Sequence, residues 1–304
     1  MNNIVYYTSD LHIRDKKPLK RKDEYLEVQF QKLEELVEAA EEEDAPVIIA
    51  GDIFDTHSIS FKRLVRFTEL VSRVDTYVVF GQHDLPNNSM RFWQENPLGL
   101  LIRFGTVTCL SEEPCKIGGV YFYGCSWGEE IPIPAHETGN VLVIHELIVK
   151  DKPLFEGQED YVKSTHLLED YPEYDMILAG DNHKGFIKQK GDQVLLNTGS
   201  MMRNNKDQKE HNPHFYRIEL DNFQFTKHHF TCEPFKDVFN MEKIKDEERQ
   251  KETQERYADL ISKIKNKKHG HDFKKTLDEM SKAAKLNKTA QTKLKTLLKE
   301  AEGV

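Results

Sequence analysis

Residues 4–12, Ile4-Val5-Tyr6-Tyr7-Thr8-Ser9-Asp10-Leu11-His12, carry an apolar, β-rich run directly into two side chains able to bind a metal ion. The same device recurs four times. Val47-Ile48-Ile49 leads to Asp52, Val78-Val79-Phe80 to His83, Val141-Leu142-Val143-Ile144 to His145, and Met176-Ile177-Leu178 to Asp181 and His183. Short apolar runs closed by Gly and polar residues read as buried strands. Open α/β sheets bind ligands beyond the carboxyl ends of such strands. With the five strands side by side, Asp10, His12, Asp52, His83, His145, Asp181 and His183 gather along one edge, around one divalent ion or two.

The intervening segments complete an α/β reading. Leu26, Phe30, Leu33, Val37 and Ala40 recur at helical spacing and predict an amphipathic helix of about five turns. A second helix is predicted over 60–73, with Leu64, Phe67 and Leu70-Val71 facing inward, before a strand over 76–80. This β-α-β-α-β order indicates a parallel half-sheet with right-handed crossovers. Stretches 106–110, 116–125, 193–197, 215–220 and 223–230 alternate and are punctuated by Gly118-Gly119, Gly191-Asp192 and Asp221-Asn222, which predicts a second sheet with antiparallel strands. The expected fold is a four-layer α/β/β/α sandwich of two mixed sheets with a C-terminal helical extension.

At 304 residues the chain can bury a sizeable core, as one large domain or one with an appendage. No run of 18 apolar residues occurs and a strand begins by Ile4, so the expectation is a cytoplasmic protein without a signal peptide or membrane association. Cys109, Cys115, Cys125 and Cys232 form no CxxC pair, which suits a reducing compartment and structural thiols. The net charge of −9 is unevenly spread: residues 241–304 hold 17 basic and 12 acidic side chains, and the first 240 hold 26 and 40. An acidic body is awkward for a nucleic-acid enzyme, whose phosphate contacts come from Lys and Arg. Divalent ions would offset that charge locally, and a basic tail could supply the rest or be a solvated helix face.

The composition changes beyond Phe239. A charged helical pattern over 241–268 is broken by His269-Gly270-His271, then Phe273, Leu277, Met280 and Ala284 form a second apolar stripe, and Asn287 could cap a last helix. The expected division is 1–240, the domain bearing the site, and 241–304, a basic helical extension for a partner.

Asp10 and His12 stand at i and i+2, which point the same way in an extended chain. Gly51-Asp52-Ile53-Phe54-Asp55 and Gly81-Gln82-His83-Asp84 add carboxylates, an amide and an imidazole at strand ends, and Gly180-Asp181-Asn182-His183 repeats the arrangement. His145 alone could equally be a satisfied core histidine. Asp84 and Asn182 read first as loop hydrogen-bonding groups, as do Arg14 and His57, for which phosphate contact is the alternative.

In this order the motifs resemble the calcineurin-like metallophosphoesterase superfamily, with D-x-H, G-D-x-x-D, G-N-H-D/E, an isolated His and G-H-x-H, over residues 4 to about 220. Within it the chain is most similar to the SbcCD-type nuclease subunit, the bacterial and phage counterpart of the meiotic recombination nuclease. The long helix after Asp10-x-His12, Phe54, a Tyr123-Gly124 turn with Trp127 following, and Asn197-Thr198-Gly199-Ser200-Met201-Met202-Arg203 carry that likeness.

The resemblance implies two divalent ions, Mn first, with Mg and others admissible. It makes Asp10, His12 and His183 ligands of one ion, Asp52 a bridge, and Gln82, His145 and Asp181 ligands of the second. Gln82 and Asp181 depart from the family's Asn and His, which alters the second position without abolishing it, since carboxylate and carbonyl are acceptable hard ligands. Two ions about 3.5–4 Å apart can share a hydroxide and stabilise attacking and leaving oxygens. His83 is then the general acid and Asp55 orients it.

Three functions follow as expectations. The first is a DNA exo- or endonuclease subunit of a repair and recombination complex, whose residues 241–304 grip an SbcC-like coiled-coil ATPase and whose DNA-capping region is curtailed. The second is a phosphodiesterase or phosphatase for cyclic nucleotides or other small esters. The third is a metal-binding module with a degenerate second site. A homodimer through the apolar segment 91–104 is implied by the same likeness, with core burial of that segment as the alternative.

Overall fold

In the computed structural model, residues 3–266 and Thr292 are described. The chain divides into two compact units, Met1–Phe239 and Asn240–Val304. The first unit opens with β1 (Ile4–Thr8), α1 (Tyr25–Glu42), β2 (Val47–Ala50), α2 (Phe61–Val71), β3 (Thr76–Val79), α3 (Pro97–Arg103) and β4 (Thr108–Cys109). It continues with β5 (Cys115–Ile117), β6 (Val120–Cys125), β7 (Asn140–Ile144), β8 (Ile148–Val149), β9 (Val162–Lys163), α4 (Ser164–Asp170) and β10 (Met176–Ala179). The unit closes with β11 (Lys184–Lys190), β12 (Gln193–Gly199), β13 (His214–Glu219), β14 (Gln224–His229) and α5 (Phe235–Val238). In the second unit α6 spans Met241–Asn266; the predicted stripe from Phe273 and the helix capped by Asn287 lie outside the described residues.

Two six-stranded mixed sheets are formed, in the orders β14-β13-β1-β2-β3-β4 and β11-β12-β10-β7-β6-β5. The strands β1 to β4 are parallel, and so are the neighbours β6, β7, β10 and β12. The ligand-bearing strands are therefore not side by side in one sheet. Three belong to the first and two to the second, and their carboxyl ends meet across the space between the sheets. Segments 106–110, 215–220 and 223–230, expected in the second sheet, pair in the first, where β13 and β14 extend it antiparallel to β1. Tyr123-Gly124 lies inside β6 and is not a turn.

Alternation explains the unbroken apolar runs. Val5 and Tyr7 of β1, Ile48 and Ala50 of β2, and Val141, Val143, Met176 and Leu178 of β7 and β10 pack in one core between the sheets. Tyr6, Val47 and Ile49 point the other way, onto Phe30, Leu33, Val37 and Ala40 of α1 and Leu64, Phe67 and Val71 of α2. Leu142, Ile144, Ile177 and Ala179 meet Leu167 and Leu168 of α4 on the outer face of the second sheet. Strands buried on both faces need apolar residues at every position, and the result is four layers. Among the described residues no helix is long and apolar enough to cross a membrane.

Polar bonds tie the sheets together at the carboxyl end. Tyr7 Oη donates to the Ala179 carbonyl at 2.6 Å, and the hydroxyls of Ser9 and Thr198 lie 2.9 Å apart, all buried. These ties set the gap in which the ligand loops converge.

Candidate metal centre

Four of the expected ligands sit in the left-handed region: Asp10 (φ 53°), His12 (47°), Asp52 (50°) and Asp181 (70°). Non-glycine residues there cost about 1–3 kcal/mol each, and such strain persists only where the surroundings enforce it. The enforcement is visible. Beyond their strands the first two loops stay zipped, with Asp10 N–H donating to Gly51 O (3.1 Å), His12 N–H to Asp52 O (2.9 Å) and Ile13 N–H to Ile53 O (2.9 Å). Asp10 and His12 therefore converge through left-handed turns at both residues and not, as an extended D-x-H would, through simple alternation. At Gly81, a Cβ would run into the Asp52 carboxylate, and at Gly51 into the His145 imidazole, so only glycine lets these loops close.

The loops bring two donor groups together. Ligand atoms of Asp10, His12, Asp52 and His183 all lie within 4.8 Å of one another, and those of Asp52, His145 and Asp181 do likewise. Asp52 belongs to both. Its Oδ1 accepts the His83 backbone N–H at 2.9 Å, which leaves Oδ2 facing His12 Nε2 at 3.6 Å and His145 Nε2 at 3.5 Å. His145 donates from Nδ1 to Ala50 O at 2.7 Å, which leaves Nε2 facing the carboxylates. His183 Nε2 stands 3.5 Å from Asp10 Oδ1 and 3.0 Å from His12 Nε2. Two bare imidazole nitrogens that close repel unless a proton or cation stands between them.

Both Asp10 oxygens, Asp52 Oδ2, Gln82 Oε1 and His145 Nε2 are buried without a hydrogen-bond partner. Buried polar atoms are normally paired, and a set of unpaired acceptors converging on one place fits a divalent cation. Carboxylate, imidazole and carbonyl donors suit Mn, Mg and related ions. The residues present therefore fit a divalent metal centre.

The electrostatics agree. Burial works against a charged His145, yet Asp52, Asp10 and Asp181 outweigh it and lift its pKa well above the ordinary histidine value. His183 is raised in the same way, burial being overcome chiefly by Asp10. Burial also opposes ionisation of Asp52, but His145 and His12 depress its pKa below the carboxylate range. For His12 burial outweighs the attraction of Asp52 and Asp10, and its pKa is pushed down to about 4. Burial, helped by Asp10 and Asp52, raises Asp181.

The other predicted residues take distinct places. His83 is exposed at the rim, its ring edge-on to His12 with centroids 5.0 Å apart. Its Nδ1 bonds the backbone carbonyl of Asp55 at 2.8 Å, so Asp55 orients it through the main chain and not through its carboxylate. That carboxylate is claimed by Arg14, with His12 Nδ1 3.7 Å away. Arg14 thus serves a loop ion pair. Gln82 Nε2 donates to Asp181 Oδ1 at 2.7 Å. Asn182 donates to Ile148 O (2.8 Å) and accepts from Lys184 N–H (3.1 Å), a loop role as expected. Asp84, fully buried, accepts from the N–H groups of Phe54 (2.9 Å), Gly81 (3.0 Å) and Ile53 (3.3 Å), binding the Asp52 loop to the His83 loop.

Two supports escaped the sequence reading. Gln29 of α1 donates to the carbonyls of His12 (2.6 Å) and Leu11 (3.3 Å), and Lys32 to that of Met201 (3.0 Å), whose N–H in turn donates to Asp10 O (3.2 Å). Both side chains are buried. The available signal was Gln29 standing between Leu26 and Leu33 on the apolar stripe.

Residues 5–185 match the family described as calcineurin-like phosphoesterase, a span that includes every ligand above. The chain belongs to the calcineurin-like phosphoesterase family. Members are hydrolases of phosphoesters, and the family together with the clustered donors points to a divalent metal site. Among solved structures, TT1561 of Thermus thermophilus is similar at 12% identity over 75% of this chain and 99% of that one, with a TM-score of 0.47. An archaeal phosphodiesterase is similar at 13% identity over 75% and 99%, with a TM-score of 0.42. No curated protein matches the sequence.

Proposed function

We propose that this phosphoesterase is a dinuclear-metal phosphodiesterase acting on DNA, the nuclease subunit of an SbcCD-like repair and recombination complex. The observation that carries the hydrolytic reading is the pair of donor groups sharing Asp52. Asp10, His12 and His183 would hold one ion and Gln82, His145 and Asp181 the other, with Asp52 between. Two divalent ions, with Mn as the first choice, would supply Lewis acidity to the phosphoryl group and to the attacking water.

The chain's own part is positioning and proton transfer. Asp52 is held by the His83 N–H, and His145 by the Ala50 carbonyl, so neither needs to reorganise. His83, with Nδ1 bonded to the Asp55 carbonyl, carries a second proton on the exposed Nε2 when charged and can pass it to the departing sugar oxygen. The nuclease assignment rests on the sequence likeness, including Asn197–Arg203, whose Met201 backs Asp10.

Purified protein with Mn is offered linear duplex DNA, single strands, cyclic nucleotides and p-nitrophenyl phosphate esters. DNA cleavage that falls about 10²- to 10⁴-fold in His83→Asn with metal content unchanged is expected. Activity confined to small esters favours the second reading, a small-molecule phosphodiesterase, which the acidic first 240 residues support. No hydrolysis with fewer than two ions bound favours a metal-binding module.

Residues 241–304 are assigned to an SbcC-like coiled-coil ATPase, supported by their basic, helical sequence and the separate unit they form. Unchanged co-purification after deleting them refutes this. Exposed Leu100 and Phe104 support a homodimer through segment 91–104, while Leu98 and Leu101 of that segment are buried in the core; sedimentation reads the outcome. Four free thiols suit the cytoplasm.

A further inference from the structure

The two donor groups that meet at Asp52 differ in kind. Beside the shared carboxylate, one holds Asp10 with two imidazoles, His12 and His183, while the other holds Asp181 with one imidazole, His145. Gln82 widens the contrast. Its amide nitrogen donates to Asp181 Oδ1 at 2.7 Å, and its carbonyl oxygen is buried without a hydrogen-bond partner. The amide's orientation follows from its partner, since a carboxylate accepts only from the NH₂ side and Oε1 must therefore be the free end. The first group presents two oxygens and two nitrogens; the second presents two oxygens and one nitrogen, with the unpartnered Gln82 carbonyl on the amide tied to Asp181.

Imidazole suits the later divalent transition metals, whereas carboxylate and carbonyl oxygens suit Mg and Mn. Resting on the metal-centre reading, we infer that the site is built for two unlike ions. An imidazole-preferring transition-metal ion occupies Asp10, His12 and His183, and a harder ion of the Mg type occupies His145, Asp181 and Gln82. The Gln82–Asp181 hydrogen bond keeps the second position rich in oxygen. It locks the carboxylate and the amide to each other, so that the two residues act as one chelating unit.

The test counts bound Co²⁺ by equilibrium dialysis of the metal-stripped full chain, with and without a large excess of MgCl₂. Two equivalents without Mg and one with it are expected. Asp181→His, which restores an imidazole, keeps both Co²⁺ in the presence of Mg. Gln82→Ala weakens only the second Co²⁺, by about 10- to 100-fold, and serves if Asp181→His does not fold. Two Co²⁺ retained by the unaltered chain under Mg, or a Gln82→Ala chain indistinguishable from it, would overturn the inference. Binding of no Co²⁺ at all would instead sink the metal-centre reading on which it rests.

Discussion

Replacing Asp84 tests the scaffold beneath the ligands without touching a ligand. Its buried carboxyl accepts three backbone N–H groups, two at 2.9 and 3.0 Å and one at 3.3 Å. Each buried donor left unpaired costs about 1–3 kcal/mol, with the longest bond at the low end. Against this, Asp84 is strained: burial, with the nearby Asp52 charge, pushes its pKa up to about 7, so removal relieves part of the load. The net for Asp84→Ala is about 3 kcal/mol. Asp84→Asn, which keeps the volume and one acceptor oxygen, loses about half of that. Both loosen the bridge between the Asp52 and His83 loops, so Mn affinity falls about 10- to 100-fold. The sign with pH is also set. A carboxyl whose folded pKa is raised contributes stability that is full below the unfolded value near 3.8 and is lost as pH rises through about 7. The gap between the native chain and Asp84→Asn therefore narrows from pH 5 to pH 8. Urea unfolding at both pH values and Mn titration read these effects. An Asp84→Ala chain within about 0.5 kcal/mol of the native one, the range of a surface substitution that breaks no contact, would refute the reasoning.

Gly81→Ala is expected to remove Mn binding while leaving the far-ultraviolet circular dichroism unchanged, because the new Cβ lands on the Asp52 carboxylate; native Mn affinity would contradict the close approach. His211 and His214, pushed down to about 4 by burial, are neutral in the folded chain. Their contribution is present above about 6.5 and is lost as pH falls toward 4, at up to about 1.4 kcal/mol per pH unit for each, which urea midpoints between pH 7 and 4.5 will show or refute. Since His145 and His183 have raised pKa values without metal, ion binding must expel their protons. Calorimetry of Mn binding at pH 7 in buffers of differing ionisation heat should show proton release and tighter binding as pH rises; buffer-independent heats would exclude it.

The candidate donors were legible because each is encoded locally, at the end of an apolar strand and in three cases beside a glycine. Val47-Ile48-Ile49 into Gly51-Asp52 announces its role within a handful of residues, and α1 and α2 announce themselves by spacing. What a run cannot encode is its neighbour. Ile144 and Ala50 end equally apolar strands, yet they lie in different sheets, and the site exists because those sheets face each other. The alternation of 215–220 fits either sheet; pairing with β1 decides it. Asp55 shows the other blind spot. Sequence names a carboxylate near His83, but a main-chain carbonyl makes the contact, and Arg14, distant in sequence, takes the carboxylate.

Strain and unsatisfied charge coincide in this molecule, and that coincidence explains the order in which the site must work. The left-handed Asp10, His12 and Asp52, at about 1–3 kcal/mol each, are held because their loops are zipped by backbone bonds and pinned from Gln29, Lys32 and Asp84. The loops therefore hold their shape before any ion arrives, and an ion entering meets donors already aimed. Burial then dictates direction of access. Asp10, Asp52 and His145 are fully buried, whereas His83 is exposed and His183 partly so. A phosphoester would approach from the side on which His83 is exposed and Gln82, Asp181 and His183 are partly exposed. On the proposed reading, His83 at this rim would stand where the ester oxygen leaves, beside the donors of Asp10, His12 and His183 that would hold an ion.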